Sequence, residues 1–532
     1  MNWGKNASRA NVTTSSVLAV TVRDDVVRSE ERVVSAPSKE PTAGRLRQLF
    51  SFPALLGSLL VVAVFVSKRD FDVDPDFWWH LKVGEDILAT HRWPSTDPYS
   101  FTAAGQPWLA SEWLGDVVFA VVSRLGGLRG LQALLIILGS AIVLALYGYA
   151  ASRSKNSKAG FITAVMLLFL ATANFNLRPQ MFGYLFLVLT LIALERFRQG
   201  KPVALWFLPV LFLMWINTHG SWEIGLGVIL VYWVSGLKTF RFGDFEMVAW
   251  KPNERVRIST VFLLCLIVMP VTPYGTRLAA YPFQFISSLP LNLSNINEWQ
   301  PMPFNLFAAK WFLALVLGAI AAQIAFQLKW RLEDFVLFFV GAALAFVHRR
   351  FLLTFVPFFA PILATMLARW VPRYQREKDP YVLNGFLMAI MLGAMIYYFP
   401  SRATIEENVS THFPVGAVSY LRSQPARGAI FNSYIFGGYL VYAQNVDRKV
   451  FIDGRADLYE RGGVYADYLQ VSLLQPAALG ILRNYGIRGC LIQKGEPLAV
   501  LLSALSDWKS VYSDKVSILL VRRDIGDNVN QQ

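Results

Sequence analysis

Residues 49–81 read LFSFPALLGSLLVVAVFVSKRDFDVDPDFWWHL and decide the fold. The apolar run 49–67 is long enough to cross a bilayer as a helix. Four aspartates at alternate positions follow it closely, and the aromatic stretch Phe77-Trp-Trp-His80 comes next. Apolar periodicity after Asp76 predicts a helix that lies at the membrane surface. The stretch therefore predicts a membrane protein with an acidic and structured first loop.

The composition of the whole chain agrees with this prediction. Of its 532 residues, 55% are hydrophobic and 16% are charged, whereas a soluble domain carries about 25% charged residues. Intrinsic disorder and a purely soluble enzyme are both excluded. Apolar runs of spanning length predict about eleven transmembrane helices, at residues 49–67, 131–151, 160–176, 180–196, 203–218, 222–237, 258–272, 307–327, 332–347, 351–369 and 381–399.

The net charge of +14 comes mostly from short loops on one side of these spans. The positive-inside rule places that side in the cytoplasm, together with the polar tail 1–48, which we expect to be disordered. Because the basic residues orient the chain, they give no support to a nucleic-acid partner. We expect a multi-pass protein of the bacterial inner membrane with transmembrane domain 49–399. Its first loop (residues 68–130) would lie outside.

Residues 400–532 have a different pattern, with short buried runs between helical segments. Strands are predicted at 428–432, 449–453, 489–493 and 517–521, and helices at 414–423, 464–473, 476–485 and 497–505. This alternation predicts an extracytoplasmic α/β domain after the last span.

The first loop holds the main candidates for catalysis. Asp76 starts the predicted surface helix, Asp74 lies two residues earlier, and His80 lies about one turn later. A carboxylate at the membrane edge can take a proton from an attacking hydroxyl, and Asp74 with Asp76 can bind Mg²⁺ or Mn²⁺. The alternative makes Asp76 a helix N-cap and His80 a surface imidazole. The spacing fits both interpretations.

Three arginines lie on the side where the positive-inside rule disfavours them. Arg178 belongs to the corner 174–180, and His348-Arg349-Arg350 ends a predicted span. Because arginine suits bidentate binding of phosphate, these four residues are candidates for a phosphate site. The competing interpretation is that the arginines anchor helix ends at the membrane surface.

Other outward segments supply further candidate site residues, namely His219, Glu223, Glu298, Asp453, Arg455 and Asp457. Ionisable residues at membrane depth are functional candidates, and open α/β sheets place ligand groups after their strands. The alternatives are a hairpin with a Ser221 N-cap, an interfacial Trp299, and an internal salt bridge between Asp453 and Arg455. No P-loop, dinucleotide fingerprint, nucleophile elbow or zinc spacing is present in the sequence.

These motifs together resemble the C-type (GT-C) integral-membrane glycosyltransferases over most of the chain after residue 49. Asp74-Pro-Asp76-Phe-Trp-Trp-His80 with Trp93-Pro-Ser-Thr-Asp97 resembles the first-loop acidic motif of the oligosaccharyltransferase catalytic subunit. Gly437-Gly-Tyr439-Leu is distantly similar to the start of that family's soluble domain. The family's Trp-Trp-Asp signature is absent, and Phe436-Gly-Gly-Tyr stands near its place.

The resemblance implies an enzyme that transfers a sugar from a polyprenyl-phosphate or polyprenyl-diphosphate donor. The acceptor would be an envelope glycan, a lipid or a protein, reached on the outer face of the membrane. By the resemblance Asp76 is the essential first-loop carboxylate. The alternatives are a transporter or flippase of lipid-linked saccharides and a binding protein for envelope polymers. A transporter should show internal repeats and broken helices, and the sequence shows neither clearly.

Overall fold

The computed structural model describes residues 46–71, 74–172, 174–288, 290–424, 428–443 and 448–523. The predicted tail lies almost wholly outside these residues. Gln48–Gln532 group into one compact unit, which contains every element discussed below. The domain boundary at residue 400 stays a prediction.

Helices cover each of the predicted apolar runs. Their bounds are Phe52–Lys68, Trp113–Ser154, Ser157–Thr172, Gln180–Arg198, Leu208–Ile216, Trp222–Ser235, Pro252–Ile267, Phe307–Phe326, Leu332–Val347, Leu352–Leu367 and Tyr381–Tyr397. Short 3₁₀ turns cover Pro202–Phe207, Asn297–Trp299, Arg349–Phe351 and Arg376–Lys378. Helices also form in the loops, at Phe77–Thr90, Thr276–Ser288 and Pro290–Asn295.

Several of these helices have the length and apolarity of membrane spans. Within the described residues four qualify, namely Trp113–Ser154, Gln180–Arg198, Phe307–Phe326 and Arg349–Leu367. A fifth is added if Tyr381–Tyr397 and Arg402–His412, which meet at a 60° bend, count as one span. The other apolar helices are shorter. The protein is therefore a mostly helical, membrane-embedded chain.

The second helix of the first loop runs on into a membrane helix. Trp113–Ser154 is interrupted at Gly127, whose φ of 57° and ψ of −150° suit glycine alone. Two helical segments therefore meet at Gly127, and the second of them contains the predicted span 131–151. Glu112 and Asp116 lie at the start of the first segment.

The predicted basic loops meet at one end of the helical bundle. Arg153 pairs with Glu195 at 3.2 Å and with Asp334, and Arg331 lies 3.0 Å from the same Glu195. A small sheet of Phe240–Phe242, Phe245–Met247 and Trp330–Arg331 lies at this end as well.

The C-terminal region contains a four-stranded mixed sheet. Its strand order is Ala429–Asn432, Ile487–Gln493, Ser517–Arg522 and Trp508–Ser513, with the first pair parallel and the others antiparallel. The helices around it are Arg402–His412, Val415–Ser423, Tyr434–Ala443, Ala456–Arg461, Val464–Ser472, Ala478–Asn484 and Pro497–Ala504.

The predicted strand 449–453 is wrong. Val450 makes a single isolated bridge to Ser100 of the first loop, and the segment joins no strand of the four-stranded sheet. Its buried apolar side chains, Val450, Phe451 and Ile452, fill the core between the first loop and the sheet. The buried apolar run therefore has the sequence pattern of a strand without forming one. The strand Trp508–Ser513 was missed because its side chains are mostly exposed and polar.

The first-loop helix Phe77–Thr90 is packed between the membrane helices and the C-terminal region. The ring of Trp78 lies 5.1 Å from that of Tyr439 and 5.5 Å from that of Phe413, while Phe77 lies 5.8 Å from Phe119. Each fully buried aromatic side chain contributes about 1.5–3 kcal/mol. This shared core fixes the acidic motif against both parts of the molecule.

Two glycines, Gly437 and Gly438, allow the helix Tyr434–Ala443 to pack closely against neighbouring backbone. A Cβ atom on Gly438 would lie 2.4 Å from the carbonyl oxygen of Pro75, and one on Gly437 would lie 2.1 Å from that of Ile452. Because neither glycine carries a side chain, the helix Tyr434–Ala443 contacts both the first-loop motif and the segment before Asp453. Gly437-Gly438 therefore has a packing role at this junction.

Candidate active site

A cavity of about 580 Å³ opens where the first loop, the membrane helices and the C-terminal region meet. Its walls bring together ten of the predicted site residues, namely Asp74, Asp76, His80, Arg178, His219, Glu223, Glu298, Arg350, Arg455 and Asp457. These residues come from six separate segments of the sequence. Their convergence is the main observation about the site.

Arg178 lies at the centre of the carboxylates. Its guanidinium is 2.8 Å from Asp76 Oδ2, 3.6 Å from Asp74 Oδ2 and 2.5 Å from Glu298 Oε1. Asn176 in the same corner donates to Asp74 at 3.5 Å. One cation is therefore shared among three acidic groups, and the corner 174–180 holds the first-loop carboxylates through Arg178 and Asn176.

Asp76 occupies the position before the first residue of the helix Phe77–Thr90, yet it does not cap it. Its backbone is helical and its side chain makes no capping hydrogen bond, so the N-cap interpretation does not hold. The carboxylate turns into the cavity beside Gly454, where a Cβ would lie only 1.6 Å from Oδ1. Burial raises the pKa of Asp76 to about 7, although Arg178 opposes that rise.

The residues around Asp74 and Asp76 do not fit a divalent-cation site. The Arg178 guanidinium stands among the carboxylates, where it repels a second cation and supplies the positive charge itself. Within the described ranges, no group of three or more His, Cys, Asp or Glu side chains has the geometry of a metal site. We derive no step through Mg²⁺ or Mn²⁺.

His80, Glu112 and His219 form a second cluster on the cavity wall. Nε2 of His80 and Nε2 of His219 each lie 3.4 Å from a different oxygen of Glu112. Nδ1 of His80 lies 2.7 Å from Asp116 Oδ1. His80 is therefore a buried, partnered imidazole, not a surface one. Glu223 lines the same cavity, at the start of the helix Trp222–Ser235.

Ser221 is not the predicted cap of that helix. Its side chain makes no capping hydrogen bond and instead lies 2.8 Å from Nδ1 of His219, while accepting from Trp215 Nε1 at 3.1 Å. The corner 217–223 is therefore built to hold His219 against Glu112, and the hairpin interpretation fails for this segment.

The residues of the motif His348-Arg349-Arg350 have different positions relative to the cavity. Arg350 lines the cavity and stacks on Trp299, with Cζ 4.0 Å from the ring centroid. His348 instead contacts the carbonyl oxygen of Trp299 through Nδ1 at 2.6 Å, which ties the loop 273–306 to the bundle. Arg349 is not among the cavity-lining residues. Consecutive residues of a 3₁₀ turn point about 120° apart, which agrees with Arg350 facing the cavity while Arg349 does not.

The C-terminal motif Asp453-Gly-Arg455-Ala-Asp457 also divides. Arg455 is enclosed by Asp453 at 2.6 Å and by Asp97 of the first loop at 2.7 Å, which is the internal salt bridge that the sequence left open. Asp453 does not line the cavity, whereas Asp457 does and accepts from the Tyr281 hydroxyl at 2.5 Å. Burial raises the pKa of Asp457.

Glu112 and Asp116 also line the cavity, although the sequence did not single them out as site residues. The available signal was their spacing, because Glu112 and Asp116 lie four residues apart and so share one helix face. That face could not be matched to His80 or His219 without the fold, because these residues are far apart in sequence.

The fold is that of the GT-C membrane glycosyltransferases. Among the solved structures similar to it, the arabinofuranosyltransferase AftD from mycobacteria aligns with 87% of this chain and 41% of its own, at 13% identity and a TM-score of 0.51. The chain thus spans less than half of AftD. No protein-family model and no curated protein matches the sequence.

Two further structures are similar over longer shares of their own chains. The oligosaccharyltransferase of Archaeoglobus fulgidus, solved with a tethered acceptor peptide, aligns with 91% of this chain and 76% of its own, at 11% identity and a TM-score of 0.48. ArnT from Cupriavidus metallidurans, bound to undecaprenyl phosphate, aligns with 87% and 96%, at 14% identity and a TM-score of 0.47.

Proposed function

We propose that this protein is a glycosyltransferase that uses a polyprenyl-phosphate or polyprenyl-diphosphate sugar as its donor. The observation that carries the proposal is the cavity, in which a buried carboxylate of raised pKa faces two arginines within a GT-C fold. Transfer of a sugar from a phosphate needs these two kinds of group, a base for the acceptor and cations for the departing charge.

Asp76 would act on the acceptor. The bond between the sugar C1 and the phosphate oxygen breaks, the acceptor oxygen forms the new bond to C1, and Asp76 orients the acceptor hydroxyl and takes its proton. Because Arg178 lowers the pKa of Asp76, a phosphate that draws this guanidinium away makes the carboxylate a stronger base. Donor binding would thereby activate the site.

Arg178 and Arg350 would bind the donor phosphate. Both line the cavity, and each presents a planar guanidinium that suits two phosphate oxygens at once. Arg350 is held in place by its stacking on Trp299. Developing negative charge on the phosphate would be stabilised by groups that are already in position.

The remaining topology belongs to the same proposal. With the basic loops in the cytoplasm of a bacterium, about eleven spans would place the cavity at the outer face of the inner membrane. A lipid carrier could then enter from the bilayer, and residues 400–532 would cover the site and select the acceptor from envelope glycans, lipids or proteins.

The experiment compares Asp76→Asn with the wild type in nanodiscs, using a panel of undecaprenyl-phosphate-linked pentoses and hexoses and a membrane extract as acceptor. We expect Asp76→Asn to lower transfer by about 10²–10⁴-fold, because the proton acceptor is lost. The matched control is Asp70→Asn, since the Asp70 side chain is 84% exposed and, among the described residues, its ion pair is with the neighbouring Arg69.

Undiminished transfer by a folded Asp76→Asn protein would contradict the assignment. So would movement of the intact lipid-linked sugar across a sealed vesicle by the wild type without cleavage of the C1–oxygen bond, which is the result that a flippase would give.

A further inference from the structure

Glu112 is one of several cavity carboxylates that the proposed reaction leaves unused. Its side chain is 22% exposed, it lines the cavity, and it makes no ion pair with an arginine or lysine among the described residues. It precedes the helix Trp113–Ser154 without forming a side-chain cap. Its partners are two imidazoles, which is an arrangement that helix capping does not explain.

The protonation of His219 follows from its contacts. The backbone N–H of Ser221 donates to Nδ1 at 3.2 Å, so this nitrogen is an acceptor. A neutral ring then carries its proton on Nε2, which lies 3.4 Å from Glu112 Oε1. His219 thus turns its Nε2 side toward one oxygen of Glu112, and the other oxygen lies toward His80.

The second oxygen of Glu112 faces a buried proton relay. His80 Nε2 lies 3.4 Å from Oε2, and on the far side of the ring Asp116 Oδ1 lies 2.7 Å from Nδ1. Asp116 Oδ2 is buried without a hydrogen-bond partner among the described residues. Glu112 therefore lies next to a buried, hydrogen-bonded His80–Asp116 pair that can hold a proton away from the bulk solvent.

Charged and titratable side chains face Glu112 from several surrounding elements. They are His80 from the first-loop helix, Asp116 from its own helix, Arg178 and His219 from the two corners, Glu298 from the loop 273–306, Arg350 and Asp457. Burial outweighs the arginines and raises the pKa of Glu112 to about 7, whereas burial lowers the pKa of His219 to about 3. Burial also lowers the pKa of His80, so both imidazoles stay neutral near pH 7.

We propose that Glu112 is the general acid of the transfer reaction and protonates the departing phosphate of the lipid carrier. The inference rests on the proposed function. Two carboxyl groups would then divide the work, with Asp76 at the acceptor and Glu112 beside the arginines that hold the phosphate. Because a phosphate monoester has its second pKa at about 6, a carboxylic acid that titrates near neutral pH is well matched to it.

The protons balance in this scheme. As the C1–oxygen bond to phosphate breaks, its electron pair stays on the phosphate oxygen, which receives the proton of Glu112. The acceptor hydroxyl gives its proton to Asp76 and forms the new bond to C1. The lipid phosphate leaves with one proton more than it would otherwise carry, and Asp76 and Glu112 return to their starting states by exchange with water.

The test measures transfer as a function of pH for the wild type and for Glu112→Gln. Wild-type activity should fall above about pH 7, since an acid that has lost its proton cannot donate it. Glu112→Gln should lower transfer about 10²-fold at neutral pH and abolish this alkaline fall. Glu85→Gln, on the same loop but outside the cavity lining, is the control that should keep the wild-type profile.

A second donor separates a chemical role from a structural one. In this donor a difluoromethylene group replaces the ester oxygen between the lipid and phosphorus, and the oxygen bonded to the sugar C1 is kept. The released phosphonate is a weaker base than the phosphate and therefore a better leaving group. This donor should restore most of the activity of Glu112→Gln. An equal deficit with both donors, or an alkaline fall that persists in the variant, would overturn the acid role.

The two proposals can fail separately. If the wild type transfers no sugar from either donor, the proposed function fails and the role of Glu112 fails with it. If the wild type transfers sugar while Glu112→Gln keeps its pH profile, only the acid role is lost. We do not expect Glu112→Gln to misfold. Burial raises the pKa of Glu112 from 4.5 to about 7, so above about pH 4.5 the ionised carboxylate favours the unfolded state. Glutamine does not ionise and so avoids this loss of stability.

Discussion

Two arginines of this molecule, Arg455 and Arg178, each contact more than one carboxylate, but their surroundings differ. The Arg455 side chain is 1% exposed, and its partners Asp453 and Asp97 are 0% exposed. The Arg178 side chain is 20% exposed, faces the cavity, and shares its charge among three carboxylates. Both arginines looked equally promising in the sequence.

The difference shows how a structural cluster can be separated from a binding one. Arg455 is saturated, because Asp453 and Asp97 accept from Nε, Nη1 and Nη2 and Trp108 covers its face at 4.6 Å. A ligand would have to displace partners that are fully buried. Arg178 has more acidic neighbours than it can neutralise and an open side, so an incoming phosphate can recruit it at lower cost.

The largest expected effect is on stability and concerns the closed cluster. Arg455→Ala leaves Asp453 and Asp97 buried without a cation, so the free energy of unfolding should fall by about 3–5 kcal/mol. Thermal unfolding of the purified protein in nanodiscs, followed by tryptophan fluorescence, measures the change.

The matched variant is Arg178→Gln, which opens the other cluster. It should lower transfer about 10²–10³-fold because a preorganised phosphate ligand is lost, and its melting temperature should change less than that of Arg455→Ala. If the two variants lost stability equally, the distinction between a closed and an open cluster would be wrong.

A smaller effect is expected where the two clusters touch. Gly454 separates Asp453 from Arg455 and lies against Asp76, so Gly454→Ala forces the Asp76 carboxylate to move. A displacement of about 1 Å at a reacting group can lower the rate about 10²-fold. The initial rate of sugar transfer, measured at saturating donor, reports the loss.

Gly462→Ala is the matched control for this substitution. The nearest heavy atom to a Cβ at Gly462 would be 3.8 Å away, which is an ordinary contact, and its φ is negative. Its transfer rate should equal that of the wild type. A wild-type rate for Gly454→Ala as well would show that Asp76 does not need its present position.

The sequence predicted a mostly helical membrane protein because membrane helices are long apolar runs whose signal is local. The number of spans stays a prediction, since four or five helices among the described residues have the length and apolarity of a span. The strand error at 449–453 has the opposite cause, since burial between two regions produces the same apolar pattern as a buried strand. The kink at Gly127 was also invisible to a composition argument.

The site was only half predictable for the same reason. Asp76 and Arg178 stood out by local anomalies, namely a run of aspartates and an arginine on the disfavoured side. Glu112 has no unusual position in the sequence. It becomes a candidate only through its contacts with His80 and His219, which the fold brings next to it. Asp453 and Asp457 are only four residues apart, and the sequence does not distinguish them. In the structure Asp453 forms a buried salt bridge, whereas Asp457 lines the cavity.

The smallest expected effect distinguishes the neighbours Arg349 and Arg350. Arg350 lines the cavity and is braced by Trp299, whereas Arg349 is absent from the lining. Arg350→Ala should weaken binding of undecaprenyl phosphate about tenfold, since a charge-assisted hydrogen bond contributes about 1.5–3 kcal/mol. Arg349→Ala removes the same charge one residue away and should leave the affinity unchanged. Titration calorimetry in nanodiscs compares the two variants, and equal weakening would mean that the arginines act through general attraction to anions, without a shaped phosphate site.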